Sequence, residues 1–219
     1  MADAEAGVPA GPPPRIKVRI ESLSDLVFGL ALSIGSLILV GNVPLSGLDI
    51  GKNAVLFGFG FLILVIAWLG YSRTMAVLPV EVPFALVANI ALLFLVALEP
   101  YLYYVLQNVH TPGLADASSV AYALDLAGMF LMQGALSYLV VREEKTSLHR
   151  QPPLHPVVVA RFRNVVKVDA LIGLVFAVSA LPIFWVDTPV GFLRFYLWGA
   201  PFFIASVGLR RRSHPGQQS

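Results

Sequence analysis

The chain has 219 residues, of which 57% are hydrophobic and 13% charged, with a formal net charge of +2 and a mean hydropathy of +0.77. A soluble domain carries about 45–50% apolar and about 25% charged residues, because its surface needs polar cover. This composition excludes an ordinary soluble protein and predicts an integral membrane protein. The absence of cysteine also excludes disulfides, thiolate nucleophiles and cysteine metal sites.

The two ends of the chain differ from the apolar middle. Residues 1–14 carry Asp3 and Glu5 and then become rich in Pro and Gly, without the basic start and apolar core of a signal peptide. The last seven residues are similarly polar. We therefore expect disordered tails at 1–14 and 213–219, on either side of one membrane domain at 15–212.

The middle of the chain contains several segments long enough to cross a bilayer, for which a helix needs roughly 20 mostly apolar residues. Six segments meet this length, at about 20–42, 54–78, 82–106, 118–141, 162–185 and 189–209. The predicted fold class is an all-α membrane protein with six transmembrane helices.

The Lys and Arg residues indicate how these helices are oriented. They precede the first span, end the second, fill the loop between the fourth and fifth, and follow the sixth, whereas the alternate loops hold little beyond Lys52. Because cations favour the cytoplasmic side, both termini are predicted to be cytoplasmic in a multi-pass protein of the cell membrane. The cations lie between apolar spans without a recognised binding motif, so no nucleic-acid partner is expected.

The first span begins beside a group of polar residues that has two interpretations. Asp25 lies one to two turns after Arg19 in the string Arg-Ile-Glu-Ser-Leu-Ser-Asp. In one interpretation Ser22 or Ser24 caps the start of a helix and the carboxylates favour the positive end of its dipole. In the other, Asp25 is an ionisable group inside a span and is therefore a candidate for function.

Further along the same span, Leu30, Ser33 and Leu37 have the spacing i, i+3 and i+7, so they share one helix face. Small residues next to them, among them Gly29 and Gly35, permit close helix approach. From the residues alone this stripe fits either plain helix packing or the lining of a pore.

The string RIESLSDLVFGLALS resembles the first-helix signature of the potassium channels of the transmembrane protein 175 type from bacteria and archaea. Their pattern is Arg-x-x-x-Phe-Ser-Asp followed by an apolar helix. Arg19, Ser24 and Asp25 match it, and Leu23 replaces the Phe.

This resemblance implies a homotetramer of six-span subunits in which the first helix lines the pore. It implies that Leu30 and Leu37 form the hydrophobic constriction, with Ser33 as a polar layer between them. Rings of apolar side chains close a pore by dewetting, and hydroxyl oxygens replace part of the water of a cation. The expected function is therefore a potassium-permeable channel, whose partners are its own copies, membrane lipid and K⁺, and which has no cofactor.

The second span departs from the family pattern. A Trp is usually followed there by a His and, four residues later, an Asn, which hydrogen-bond to the Ser-Asp pair. This chain keeps Trp68, but Tyr71 or Ser72 falls at the His position and no Asn follows. Arg19, Trp68 or Tyr71 is the expected donor to Asp25.

Other intramembrane charges leave alternative functions open. Glu99 is expected near the outer interface, and Asp125 is expected to pair with Arg194 or to bond between helices. A proton-coupled transporter that uses Asp25 and Asp125 is the first alternative, and a membrane subunit without transport activity is the second. An enzyme is not expected, because no nucleotide loop, nucleophile elbow or zinc-protease motif is present.

Overall fold

The computed structural model describes residues 15–41, 45–78, 83–109, 111, 113–146, 154–184, 187–188 and 191–199. Five long helices make up most of this part of the chain. They are α1 (Arg15–Gly41), α2 (Gly47–Met75), α3 (Pro83–Asn108), α4 (Leu114–Thr146) and α5 (Pro156–Ser179). A 3-10 turn at Pro182–Phe184, a two-residue antiparallel pair of β1 (Asp187–Thr188) and β2 (Gly191–Phe192), and the short α6 (Leu193–Trp198) complete the fold.

Local sequence accounts for several helix ends. The Ser46 hydroxyl accepts a hydrogen bond from the Asp49 amide at 3.1 Å and so caps the start of α2. Proline stands at the first position of α3 and of α5, where the missing N–H costs nothing. Gly113 precedes α4 with φ of +80°, a left-handed conformation that favours glycine. Pro100 lies inside α3, which continues through it.

The prediction of a multi-pass membrane protein is confirmed. Four helices, α1 to α4, are long and apolar enough to cross a membrane. They correspond to the first four predicted spans. α5 begins and ends about six residues earlier than the fifth predicted span, and it carries Arg161, Arg163, Lys167 and Asp169. Most of the sixth predicted span lies outside the described residues, as do the two predicted tails.

α4 is the central helix of the described part of the chain. It packs most extensively against α5 and next against α3, whereas α1 packs against α3 and α2. Small residues permit the close approach of α4 and α5, since a Cβ on Gly173 would lie 2.8 Å from Leu131 Cγ and 3.1 Å from the Ala127 carbonyl oxygen. In the most apolar stretch of α4, 67% of residues are buried, against 17% in α1. The subunit thus has a tightly packed side at α4 and α5 and an open side at α1.

α6 is held on the packed side by aromatic and ionic contacts. The Trp198 ring lies 5.3 Å from Tyr122 and 6.1 Å from Phe59, and its indole N–H donates to Ser179 Oγ at 2.9 Å. Arg194 is fully buried. The chain after α5 therefore returns to the core formed by α2, α4 and α5.

Candidate functional site

The first helix divides into two faces. Ser24, Phe28 and Ala31 are almost fully buried against the rest of the subunit. The opposite face is an apolar stripe at helical spacing with no cover from the described residues. Its exposed large side chains are Leu23, Leu26, Leu30, Ile34, Leu37 and Val40. We refer to this stripe, together with Ser33, as the open face of α1.

The three residues expected to form the constriction all lie on the open face. Leu30 is 52% exposed and Leu37 is 68% exposed. Ser33 is also exposed, and its hydroxyl donates to the Gly29 carbonyl oxygen at 2.8 Å. Because this bond uses the only hydroxyl proton, the lone pairs of the Ser33 oxygen remain free to accept from a ligand.

The polar string at the start of α1 lies inside the helix rather than at its cap. α1 begins at Arg15, so Ser22 and Ser24 lie in its second and third turns. Each hydroxyl donates to the carbonyl oxygen four residues earlier, at 2.9 and 2.8 Å. The interpretation of either serine as an N-cap is therefore wrong, because the helix extends further toward the N-terminus than the apolar segment does.

Two hydrogen bonds join this part of α1 to α2. The Trp68 indole Nε1 donates to Asp25 Oδ1 at 3.0 Å. The Ser24 and Tyr71 hydroxyl oxygens are 2.6 Å apart, and Tyr71 is the donor because Ser24 gives its proton to Ile20. The Tyr71 ring also packs against Phe28 at 5.7 Å. Trp68 and Tyr71 thus bond to adjacent residues of α1.

Arg19, the remaining residue of the predicted network, is exposed and bonds to no described residue. Lys17 is the cation that connects the two helices. Its Nζ donates to the Ala76 carbonyl oxygen at the end of α2, at 3.2 Å, and lies 3.9 Å from Glu21 Oε1. A cation at this position also interacts favourably with the negative end of the α2 dipole.

A second set of polar contacts, between α2 and α4, was not predicted from the sequence. Thr74 and Ser137 are hydrogen-bonded at 3.1 Å. One turn away, the Gln133 amide packs directly on Gly70, where a Cβ would overlap the amide nitrogen. The only sequence signal was a glycine between Trp68 and Tyr71. These contacts fix the helix that carries Trp68 and Tyr71 against the central α4.

The two intramembrane carboxylates of α3 and α4 lie inside the bundle. Glu99 is 3% exposed and accepts a hydrogen bond from Tyr122 at 2.9 Å, so it is enclosed by the protein. It lines a small pocket behind α1, together with Gly35 and Gly60. Asp125 is 4% exposed, and its carboxylate oxygens have no hydrogen-bond partner among the described residues.

The expected pairing of Asp125 with Arg194 is also wrong. Arg194 Nη2 lies 3.5 Å from Asp116 Oδ1, and Nη1 donates to Ser119 Oγ. Both partners belong to the first turns of α4, and Asp125 lies two to three turns further along that helix. The described residues contain no group of three His, Cys, Asp or Glu side chains that would hold a metal ion.

Comparison with known proteins supports the fold. The chain is similar to the crystal structure of a homologue of the lysosomal potassium-selective channel TMEM175 from Chamaesiphon minutus, with a TM-score of 0.59 and 15% sequence identity. The match covers 88% of this chain and 98% of that chain. The resemblance noted in the first helix is thus confirmed at the level of the fold. No protein-family model and no curated protein matches the chain.

The Asp25–Trp68 contact leads to a test by a double-mutant cycle. Asp25→Ala and Trp68→Phe each remove one partner of the hydrogen bond, so each should lower the free energy of unfolding. The loss in the double variant should be smaller than the sum of the two single losses. We expect a coupling of about 1 kcal/mol, the usual net value of a hydrogen bond. Thermal unfolding of the full chain in detergent, followed by circular dichroism, measures it.

The control cycle replaces Trp68→Phe by Ser72→Ala, because the Ser72 hydroxyl bonds within α2 to the Trp68 carbonyl oxygen. Its effect should add to that of Asp25→Ala. Strict additivity in both cycles would show that Asp25 and Trp68 do not interact.

Proposed function

We propose that this chain is the subunit of a homotetrameric, potassium-permeable cation channel whose pore is lined by the open face of α1. The observation that carries the proposal is that Leu30, Ser33 and Leu37 lie on an apolar helix face that no described part of the subunit covers. The shared fold with a homologue of a potassium-selective channel supports the same function.

The need for several copies follows from the geometry of a pore. One subunit supplies one α1 helix, and a closed ring of identical side chains requires cyclic symmetry. Four open faces around one axis would cover each other. This assembly would account for the low burial of α1 within a single subunit, and α1 is also the helix that carries Ser24 and Asp25. In the tetramer, Asp25 and Trp68 would hold α1 at a fixed rotation relative to α2.

The proposed mechanism depends on alternation of apolar and polar layers. Rings of Leu30 and Leu37 would make a constriction too narrow and apolar for a hydrated ion, so that water leaves it and conduction stops. The ring of Ser33 oxygens would supply acceptors to a partly dehydrated cation between them. Potassium gives up its water more readily than sodium, and such a ring would therefore favour potassium.

The proposed topology has six spans and cytoplasmic termini. The Lys17–Ala76 contact brings the start of α1 and the end of α2 to the same side of the subunit. Arg19, Arg73 and Arg142 are exposed towards this same end, and Lys52 lies near the opposite end. The predicted segment 189–209 would be the sixth span, and α5, of 24 residues, would be the fifth.

The proton-coupled transporter has weaker support. Its two carboxylates would have to share a path, yet Asp25 is exposed on α1 and bonded to Trp68, whereas Asp125 is buried in α4. The pocket behind α1 is lined by neither of them. The second alternative, that the chain is a membrane subunit without transport activity, is tested by the flux experiment below.

The assembly is tested by native mass spectrometry of the full chain in mild detergent. We expect a mass of four subunits, because a ring of α1 helices needs several copies and the resemblance of the first helix implies a tetramer. A spectrum and an amine cross-linking ladder that contain monomers and dimers alone would contradict the proposal.

The constriction is tested by potassium flux into liposomes at matched protein amounts. Leu30→Ala and Leu37→Asn should each raise the flux, since four side chains at once become smaller or more polar and the gap becomes wet. Leu32→Ala is the control, because Leu32 lies about 200° around the helix from Leu30 and packs against the core. Equal flux in all three variants would remove α1 from the pore.

The polar layer is tested by ion selectivity. Ser33→Ala keeps the size of the gap but removes the ring of acceptor oxygens, so the preference for potassium over sodium should fall towards unity. Ser22→Ala is the matched control, since Ser22 is also exposed and also bonds to its own helix, but lies outside the segment between Leu30 and Leu37. An unchanged ratio in Ser33→Ala would show that selectivity arises elsewhere.

A further inference from the structure

The first half of α5 presents a concentration of positive charge on its exposed side. Arg163 and Lys167 are four residues apart, so they lie on the same side of the helix, and both are exposed. Arg161 is also exposed, but it lies about 200° around the helix from Arg163. We call Arg163 and Lys167 the cationic face of α5. No ion pair links either of them to a carboxylate of the described residues.

The acidic residue of α5 cannot neutralise this face. Asp169 follows Lys167 by two residues, which places it about 200° around the helix. It is buried on the side of α4, where its Cβ lies 3.3 Å from the position that a Cβ on Gly134 would take. The positive charge of the cationic face is therefore not balanced by a carboxylate of α5, and it faces outward from the bundle.

Exposed apolar residues continue the same side of the helix. Leu171 and Leu174 follow Lys167 by one and two turns and are both about half exposed. At 1.5 Å per residue they lie about 6 and about 10 Å deeper along the helix axis. The exposed side of α5 thus changes from cationic to apolar along one continuous stripe.

The cationic end belongs to the cytoplasmic side in the proposed topology. Three contacts, which link α5 to α4, α4 to α2 and α2 to α1, relate its depth to that of α1: Asp169 packs on Gly134, Gln133 packs on Gly70, and Tyr71 bonds Ser24. Lys167 therefore lies near the level of the Ser24–Tyr71 contact, and its long side chain reaches outward to the interface. Arg161 and Arg163 lie one to two turns closer to the cytoplasm.

We infer that this face of α5 binds an anionic phospholipid of the cytoplasmic leaflet. The phosphate of the headgroup would lie between Arg163 and Lys167, which are one turn apart, and the acyl chain would run along Leu174. Clusters of cations at this depth attract anionic lipids, and a soluble acidic partner would leave the leucines uncovered. The inference depends on the proposed orientation but not on ion conduction.

The test uses the full chain in neutral detergent with equal amounts of phosphatidylglycerol and phosphatidylcholine that carry identical acyl chains. Native mass spectrometry counts the retained lipids. The wild-type chain should retain phosphatidylglycerol in preference to phosphatidylcholine. Lys167→Gln should reduce this preference about fivefold, and the Arg163→Gln/Lys167→Gln double variant should reduce it by a similar further factor. Thermal unfolding in phosphatidylcholine alone checks that these exposed positions leave the fold unchanged.

Two control variants accompany the test. Lys52→Gln removes an exposed cation near the start of α2, at the end of the bundle opposite the cationic face of α5. This variant should retain the wild-type preference for phosphatidylglycerol. Arg163→Lys keeps the charge and should do the same. An equal loss in Lys52→Gln would show a non-specific effect of net charge and would overturn the inference.

Two further outcomes would also overturn it. The first is an unchanged preference for phosphatidylglycerol in the double variant. The second is displacement of the lipid by millimolar glycerol phosphate, which has a phosphate group but no acyl chain. That result would indicate a site for soluble anions, to which the exposed leucines contribute nothing. A change in subunit number in the double variant, without a change in lipid preference, would identify the face as a contact between copies.

Discussion

A polar group inside a membrane protein can gain a hydrogen bond only from the protein itself, because hydrocarbon offers none, and hydrogen bonds of this kind join the helices of this chain. Ser24 and Tyr71 join α1 to α2, Thr74 and Ser137 join α2 to α4, and Tyr122 and Glu99 join α4 to α3. Each bond also fixes the rotation of both helices. The polar contacts therefore determine which face of each helix is turned outward.

The open face of α1 is a consequence of this arrangement. With Ser24 bonded to Tyr71 and Phe28 packed against the same ring, the side that carries Leu30 and Leu37 has to point away from the subunit. The packing of α4 against α5 uses glycines for close approach, whereas α1 has no comparable cover. A tightly packed interior at α4 and α5 is thus combined with one apolar helix face on α1 that the described residues leave uncovered.

The link between α1 and α2 uses different chemistry from the family pattern described above. Tyr71 supplies a phenol hydroxyl where a histidine is usual, and it bonds to Ser24 rather than to Asp25. Trp68 provides the bond to Asp25. The two acceptors of α1 are thus both satisfied without the His and Asn, and Gln133 supports the intervening Gly70 from α4. In this chain, Trp68 and Tyr71 therefore join α1 to α2 without a His or Asn in the second helix.

The sequence by itself determined the membrane location, the first four spans and the resemblance of the first helix, because hydropathy and local motifs are properties of single segments. It also identified Leu30, Ser33 and Leu37 as one helix face, which depends on spacing alone. Only the tertiary structure decided that this face is uncovered, that Glu99 is buried and that Arg194 pairs with Asp116. Those outcomes depend on the rotation and register of helices whose contacting residues lie 23 to 78 positions apart. No local pattern encodes such a choice of partner, since every buried polar side chain has several helices within reach until packing selects one.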